Sequence, residues 1–419
     1  MNLFSLSWSY IKDKPLNTTL NVLLMSLGIA IILVLLLLSS QLEENLGKNK
    51  RGIDLVVGAK GSPLQLILAN VYHIDFPTGN VKLKEAKALT RNRLIASAIP
   101  LALGDNYRGF RIVGTNHDYV NLYEGKVAEG EIWKTNLDVT IGANVAAKLG
   151  LKPGDEFFGA HGMSVSDLEH DEASYRVAGV LEKGNHVLDN LILTNIESVW
   201  MVHDHEGEDE EGHEHEEGHE HDPGLGSAYE TGFPEGDEDD EITSMLIRFR
   251  SPMGAVQLPR MINSNTNMQA ASPAFETQRL FSLLGIGVNM IRSFAYIIIV
   301  IAGLSIFISL YNALKDRKYD LAIMRSLGAS RGRLFVHVIL EGILITFLGG
   351  ILGFVLGHGL VEILAGYYEK SEEVGISGLV FINQEWIVLL ISLGVGILSA
   401  LLPAMNAYRT DISKVLAQD

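Results

Sequence analysis

Four uncharged apolar stretches stand out from the mixed apolar and polar pattern of this chain, and they are unevenly placed: residues 15–42 near the start, then 293–314, 334–361 broken only by Glu341, and 386–408 near the end. A bilayer core about 30 Å thick needs roughly 20 apolar residues at ~1.5 Å each, so each stretch is long enough to span as a helix. The pattern predicts an α-helical membrane protein with four transmembrane helices, one before and three after a large inserted domain. The expected bounds are an N-terminal segment 1–17, helix 18–42, inserted domain 43–284, helix 285–314, loop 315–333, helix 334–364, linker 365–385, helix 386–408 and tail 409–419. The first span exceeds a signal-peptide core and is followed by no A-x-A site, so it is expected to remain as an anchor.

Charge orients the plan. The loop between the second and third spans carries Lys315, Arg317, Lys318, Arg325, Arg331 and Arg333 against Asp316 and Asp320. By the positive-inside rule this loop lies in the cytoplasm, and parity places both termini there too. The linker 365–385, with Lys370 against Glu369, Glu372, Glu373 and Glu385, suits the outside, and so does the inserted domain. Within the basic loop, Leu321, Met324 and Gly328 recur at i, i+3 and i+7, and Ile323 and Leu327 at i and i+4. That is a short amphipathic helix, either lying on the membrane surface or docking a cytoplasmic protein.

The inserted domain reads as α+β. Residues 137–158 suggest strand, helix (143–149), a turn at Pro153, Gly154 and Asp155, then strand; 175–181, 190–193 and 245–249 also read as strands. Helices are expected at 251–263 and at 275–284, the latter running toward the second span.

Composition changes the picture in two places. The chain contains no cysteine, which excludes a disulfide scaffold and thiol chemistry. Its net charge of −17 is local in origin, because residues 203–241 hold 18 of the 50 acidic residues and no Lys or Arg. That insert carries three H-x-H pairs: His203 with His205, His213 with His215, and His219 with His221. Side chains two apart on an extended chain point the same way, so each pair can offer two imidazoles to one zinc, copper or nickel ion, with carboxylates adding oxygen ligands. The other reading is an acidic tether that binds nothing in particular. The remaining histidines are scattered, His337 and His358 in the third span suiting interhelical hydrogen bonds, and no spacing supports an enzyme or a nucleic-acid site.

The spans carry almost no ionisable groups, which argues against an ion pathway. Glu341, eight residues past Arg333, reads either as a paired structural group or as a mechanistic switch. Gly349, Gly353 and Gly357, at steps of four, read as a close helix contact or as a merely flexible span.

The segment RKYDLAIMRSLGASRGRL followed by FVHVILEGILITFLGGILGFVLG resembles the signature of the FtsX-like permeases, a group that includes MacB and LolC/LolE-type subunits. SLSWSYIKDKPLNTTLNVLLMSLGIAI, TIGANVAAKLGLKPGD and LLPAMNAYRTDISKVLA are similar to other pieces of that family, with Asp411-Ile412 where a Pro-Ile pair is common. The resemblance implies a permease subunit of an ABC transporter complex in the bacterial inner membrane. It further implies pairing with a second protomer, as a homodimer, and docking of a cytoplasmic ABC ATPase through Leu321, Ile323, Met324, Arg325, Leu327 and Gly328. Motion of the ATPase would reach the outer domain and any periplasmic partner protein. No G-x-x-x-x-G-K-[ST] loop occurs in the sequence, so no catalytic cofactor is expected on this chain and ATP hydrolysis is assigned to a separate subunit. The alternative within the same family is a non-transporting signaller that controls envelope or cell-wall partners. The histidine insert adds the expectation of a zinc-linked process.

Overall fold

The structure, a computed structural model, describes residues 3–161, 169–204, 231–237, 239–367 and 376–409. The chain divides into two compact units, residues 1–42 with 283–419, and residues 43–282. It opens with α1 (Leu3–Asp13), which the hydropathy pattern did not predict, and α2 (Pro15–Asn49), the first apolar helix. Pro15 suits the first helical position because its missing N–H would have no partner there.

Among the described residues the second unit is an α+β domain with a ten-stranded sheet and a separate two-stranded one. In chain order it contains β1 (Leu55–Ala59), α3 (Pro63–Asn70), β2 (Val81–Lys82), α4 (Leu83–Thr90), β3 (Ile95–Tyr107), β4 (Phe110–Gly114), α5 (His117–Leu122), β5 (Val127–Gly130), β6 (Asp138–Ile141) and α6 (Ala143–Leu149). Then follow β7 (Glu156–His161), β8 (Glu169–Leu181), a 3-10 turn at Val187–Asn190, β9 (Leu191–Thr194), α7 (Ile196–Asp204), β10 (Glu241–Ile242), β11 (Ser244–Phe249), α8 (Met253–Asn265) and β12 (Met268–Ala271).

The long strand β3 belongs to two lobes. Its first half pairs with β11, Ile99 opposite Leu246, and its second half pairs with β4, Leu103 opposite Val113. One core gathers Leu55, Val57, Met245 and Ile247 from strands under Leu83 and Ala86 of α4 and Leu258 and Ile262 of α8. The other gathers Ile112, Val139, Ile141, Tyr175, Val177 and Ile192 under Val145 of α6. Each fully buried Leu or Ile contributes on the order of 1.5–3 kcal/mol, so each lobe carries its own core. The predicted helix at 143–149 is α6, ended by Gly150 in the left-handed region at φ 71. The strand expected at 190–193 is shifted by one residue, because Val187–Asn190 forms a 3-10 turn that delays it to Leu191.

The remaining helices are α9 (Pro273–Asp316), α10 (Lys318–Ser326), α11 (Arg331–Tyr367) and α12 (Glu385–Arg409). With α2, helices α9, α11 and α12 are the four long and apolar enough to cross a membrane among the described residues. The one-plus-three arrangement around an α+β insert is therefore the one that hydropathy predicts.

Within the helical unit, α11 is the centre. Its glycines admit α2 so closely that a Cβ on Gly349 would lie 2.8 Å from Met25 Cβ, and one on Gly357 would lie 3.0 Å from Leu33 Cβ. Another face meets α12, where a Cβ on Gly342 would lie 2.7 Å from Ala400 Cβ and 2.8 Å from the Gly396 carbonyl. Lipid tails are as apolar as Leu, so helices in a bilayer associate through such backbone proximity and through polar pairs. One polar pair joins α9 to α2, where Ser305 Oγ donates to Asn21 Oδ1 at 2.6 Å.

Candidate functional site

At the end of the helical unit where α9 gives way to α10, a single residue, Arg317, leaves the helical path at φ −104 and ψ 18. Its guanidinium lies 3.9 Å from the centroid of the Tyr10 ring in α1, and Nη2 donates to the Tyr10 carbonyl at 3.3 Å. Asp13 Oδ2 is 3.5 Å from Nη2, and Glu341 Oε1 of α11 is 4.0 Å from Nη1. The side chain is only 14% exposed, so these partners replace the water that a buried cation would otherwise lose.

Helix α1 is tied to α11 a turn earlier. Ser7 Oγ lies 2.7 Å from His337 Nδ1, both residues being buried, and the Tyr10 and His337 rings sit 5.3 Å apart. Lys14 and Asp316 form an ion pair beside this cluster. Burial pushes the Tyr10 hydroxyl above its ordinary pKa, which keeps it a neutral hydroxyl. Tyr10, Leu310, Leu314, Leu321 and Glu341 enclose, with Arg317, a cavity of about 20 Å³. Four helices thus meet at one guanidinium.

The predicted docking residues separate into two groups. Leu321 is 3% exposed and lines this joint, and Ala322 beside it is buried. Ile323 and Leu327 are exposed, Leu327 at 81%, with Tyr319 exposed beside them, while Met324 and Arg325 are half-buried. Gly328, at φ 100, ends the helix in a conformation that L side chains rarely adopt. Glu341 faces Arg317, and Gly349, Gly353 and Gly357 face α2.

His205, His213, His215, His219 and His221 lie outside the described residues, and of His203 only the backbone, at the end of α7, is described. Among the described residues no group of three or more His, Cys, Asp or Glu is placed to hold a metal. Sequence reasoning missed α1 and Arg317. The signal was present in Leu3, Ser7 and Tyr10 at i, i+4 and i+7, a stripe on one helix face in which Ser7 and Tyr10 are polar because they meet His337 and Arg317.

At the other end of the helical unit, Gln41 exchanges two hydrogen bonds with the Ser377 backbone, at 2.9 and 2.8 Å. His358 Nδ1 lies 2.6 Å from the Gly378 carbonyl and Nε2 lies 3.4 Å from Glu385 Oε2. His358 of the third span thus holds the linker.

Residues 18–216 match the model of the MacB-like periplasmic core domain, and residues 292–412 match the FtsX-like permease C-terminal model. The chain belongs to the FtsX-like, MacB-type family of ABC transporter permeases. Relatives of this permease include the uncharacterized ABC transporter permease YknZ of Bacillus subtilis (strain 168), 24% identical over 36% of this chain and 38% of that protein. Another is the macrolide export ATP-binding/permease protein MacB of Hyphomonas neptunium, 28% identical over 34% of this chain and 20% of that protein. The chain therefore matches well under half the length of either relative. Among solved structures, the periplasmic region of MacB from Actinobacillus actinomycetemcomitans aligns with 56% of this chain and 97% of its own, at 14% identity and a TM-score of 0.33. The four span candidates and the periplasmic-type domain fit a bacterial inner-membrane protein.

Proposed function

We propose that this permease is the transmembrane subunit of an ABC complex in which a separate cytoplasmic ATPase docks on α10 and its motion is carried to the periplasmic-type domain. The observation that supports it most is the Arg317 joint. A displacement of α10 pulls on Arg317, and Arg317 is hydrogen-bonded to α1 and faces Glu341 of α11. The docking surface is Ile323, Leu327 and Tyr319, flanked by Arg325. An exposed apolar edge between basic residues suits a partner groove that is apolar with an acidic rim. In this reading both termini are cytoplasmic, two protomers associate through the exposed apolar helix faces, and ATP hydrolysis resides on the partner. The histidine insert supports a zinc-linked process, in which the loop collects metal outside the membrane for an export or envelope step.

The test is co-purification. Ile323→Asp with Leu327→Asp is expected to abolish capture of the partner ATPase, while membrane insertion is kept. Leu321→Asp is expected to fail earlier, in expression of the subunit itself, because a charge placed in the Arg317 joint has no room to be hydrated. Unchanged capture by the Ile323/Leu327 double variant overturns the docking assignment. If capture is intact and no substrate moves while cell-wall hydrolysis becomes ATP-dependent, the signalling alternative replaces transport.

A further inference from the structure

A buried cluster in the periplasmic-type unit has no role in its two hydrophobic cores. The last turn of a helix leaves carbonyls without an internal N–H partner, and these are usually met by a glycine-containing turn or by water. At the end of α2 they are met by tyrosines. Tyr72 Oη donates to the Leu46 carbonyl at 3.1 Å, and Tyr123 Oη donates to the Asn49 carbonyl at 2.8 Å. Asn49 Oδ1 in turn accepts from the Val187 N–H at 2.9 Å. The side chain of Thr277, in the first turns of α9, lies beside the same hydroxyl. One hydroxyl therefore touches both of the helices that enter this unit, the end of α2 and the start of α9.

The supports of these hydroxyls are unusually costly. His73, next to Tyr72, is a buried non-glycine residue in the left-handed region at φ 55. It is held there from two sides. His73 Nε2 lies 2.9 Å from Tyr119 Oη. Arg111 of β4, itself 7% exposed, donates from Nη2 to the Asp75 carbonyl at 2.8 Å and reaches the Ala69 carbonyl at 3.5 Å, on either side of the strained residue. Tyr119 packs edge-on against Tyr123 at 5.4 Å, and the Tyr123 and His186 rings lie tilted to each other at 5.5 Å. Strain of this kind persists only where surroundings over-determine it. Here its product is the direction of the Tyr72 hydroxyl.

We infer that Tyr72 and Tyr123 form a clamp that couples the ends of α2 and α9 to the lobe built on β4 and β9, so that axial or rotational motion of the two helices moves that lobe as one body. This rests on the mechanical reading of the permease and adds to it the residues through which motion enters the domain. Both hydroxyls are needed, because Tyr72 fixes the helix at Leu46 and Tyr123 fixes it three residues later, and two points on one turn prevent it from swivelling.

The experiment uses the full chain in lipid nanodiscs with its ATPase in a hydrolysis-dead form. Spin labels at Lys152 report lobe-to-lobe distance between protomers, and a second pair at Glu44 and Lys152 reports helix-to-lobe distance within one chain. In the parent protein, ATP is expected to change the first distance and leave the second narrow. In Tyr72→Phe with Tyr123→Phe, which keep both rings, the ATP-driven change is expected to fall to less than half and the second distribution to broaden. Tyr175→Phe removes a hydroxyl equally buried in the same unit but away from α2, and is expected to behave as the parent. If the double variant keeps the full change, or if Tyr175→Phe loses as much, the clamp is overturned while the mechanical reading stands. If the parent protein shows no change with ATP, both are overturned.

Discussion

A Cβ built on Gly353 would lie 2.8 Å from the Cβ of Ile29 and 2.8 Å from the Ser26 carbonyl, so α11 and α2 approach as closely as two helices can. The contact recurs a turn before and a turn after, at Gly349 and Gly357. Because one of the atoms met is backbone, no rotamer change in α2 relieves the overlap.

Gly353→Leu is accordingly expected to separate the two helices and lower stability by about 1–3 kcal/mol or more, the usual cost of overpacking. Gly359, on the same helix, meets nothing within 4 Å, so Gly359→Ala is the matched control and is expected to be silent. Thermal denaturation in detergent, followed by aggregation or by loss of ATPase binding, reads the difference. Equal melting of the two variants would show that the stripe is a flexible span rather than a packing face.

The periplasmic-type unit is expected to lose stability as pH falls below ~6.5. Burial first, and the Arg111 charge second, hold His73 well below its ordinary pKa; burial lowers His186 as well, against the opposing charge of Asp189. The unfolded chain then binds protons that the folded one does not, so acid favours unfolding. For His73 the slope approaches about 1.4 kcal/mol per pH unit once pH lies below the unfolded value and above the folded one. Urea midpoints of the full chain measured by tryptophan fluorescence from pH 8 to pH 5 check this, and a flat profile contradicts it. His73→Asn, which tolerates the left-handed region and does not titrate, is expected to flatten the slope.

Deleting residues 203–222 is expected to remove most zinc binding from the protein while leaving ATPase capture intact, since that stretch consists only of His, Asp, Glu and Gly and has no apolar side chain to give a core. Imidazole must be neutral to ligate, so binding in the parent should weaken as pH falls through about 6, and the acidic neighbours move that loss to somewhat higher pH. Calorimetry with zinc on both proteins decides it. Equal binding leaves the insert as an acidic tether only.

Much of this protein is written in one dimension. Membrane spans are legible because every backbone polar group in a bilayer must be satisfied within the segment, so apolar length alone marks α2, α9, α11 and α12. The helix at 143–149 and the turn after it were equally local, since Gly150 and Pro153 act on the residues beside them. The short amphipathic helix was legible as a helix, but not the use of its faces. Leu321 and Leu327 look alike in a periodic pattern, and only the bundle decides that one fills the Arg317 joint while the other is left exposed. The same holds for the glycine stripe, whose spacing predicts a contact without naming Met25, Ile29 and Leu33 as what it meets. The partners that meet at the two joints lay beyond the sequence. Arg317 reaches residues about 300 positions before it, and Tyr72 and Tyr123 converge on a helix end through a turn at His73 that no propensity favours. Periodicity reports what each residue asks of its immediate neighbours, whereas pairings between distant segments depend on how whole elements pack, and that is settled only when the chain has folded.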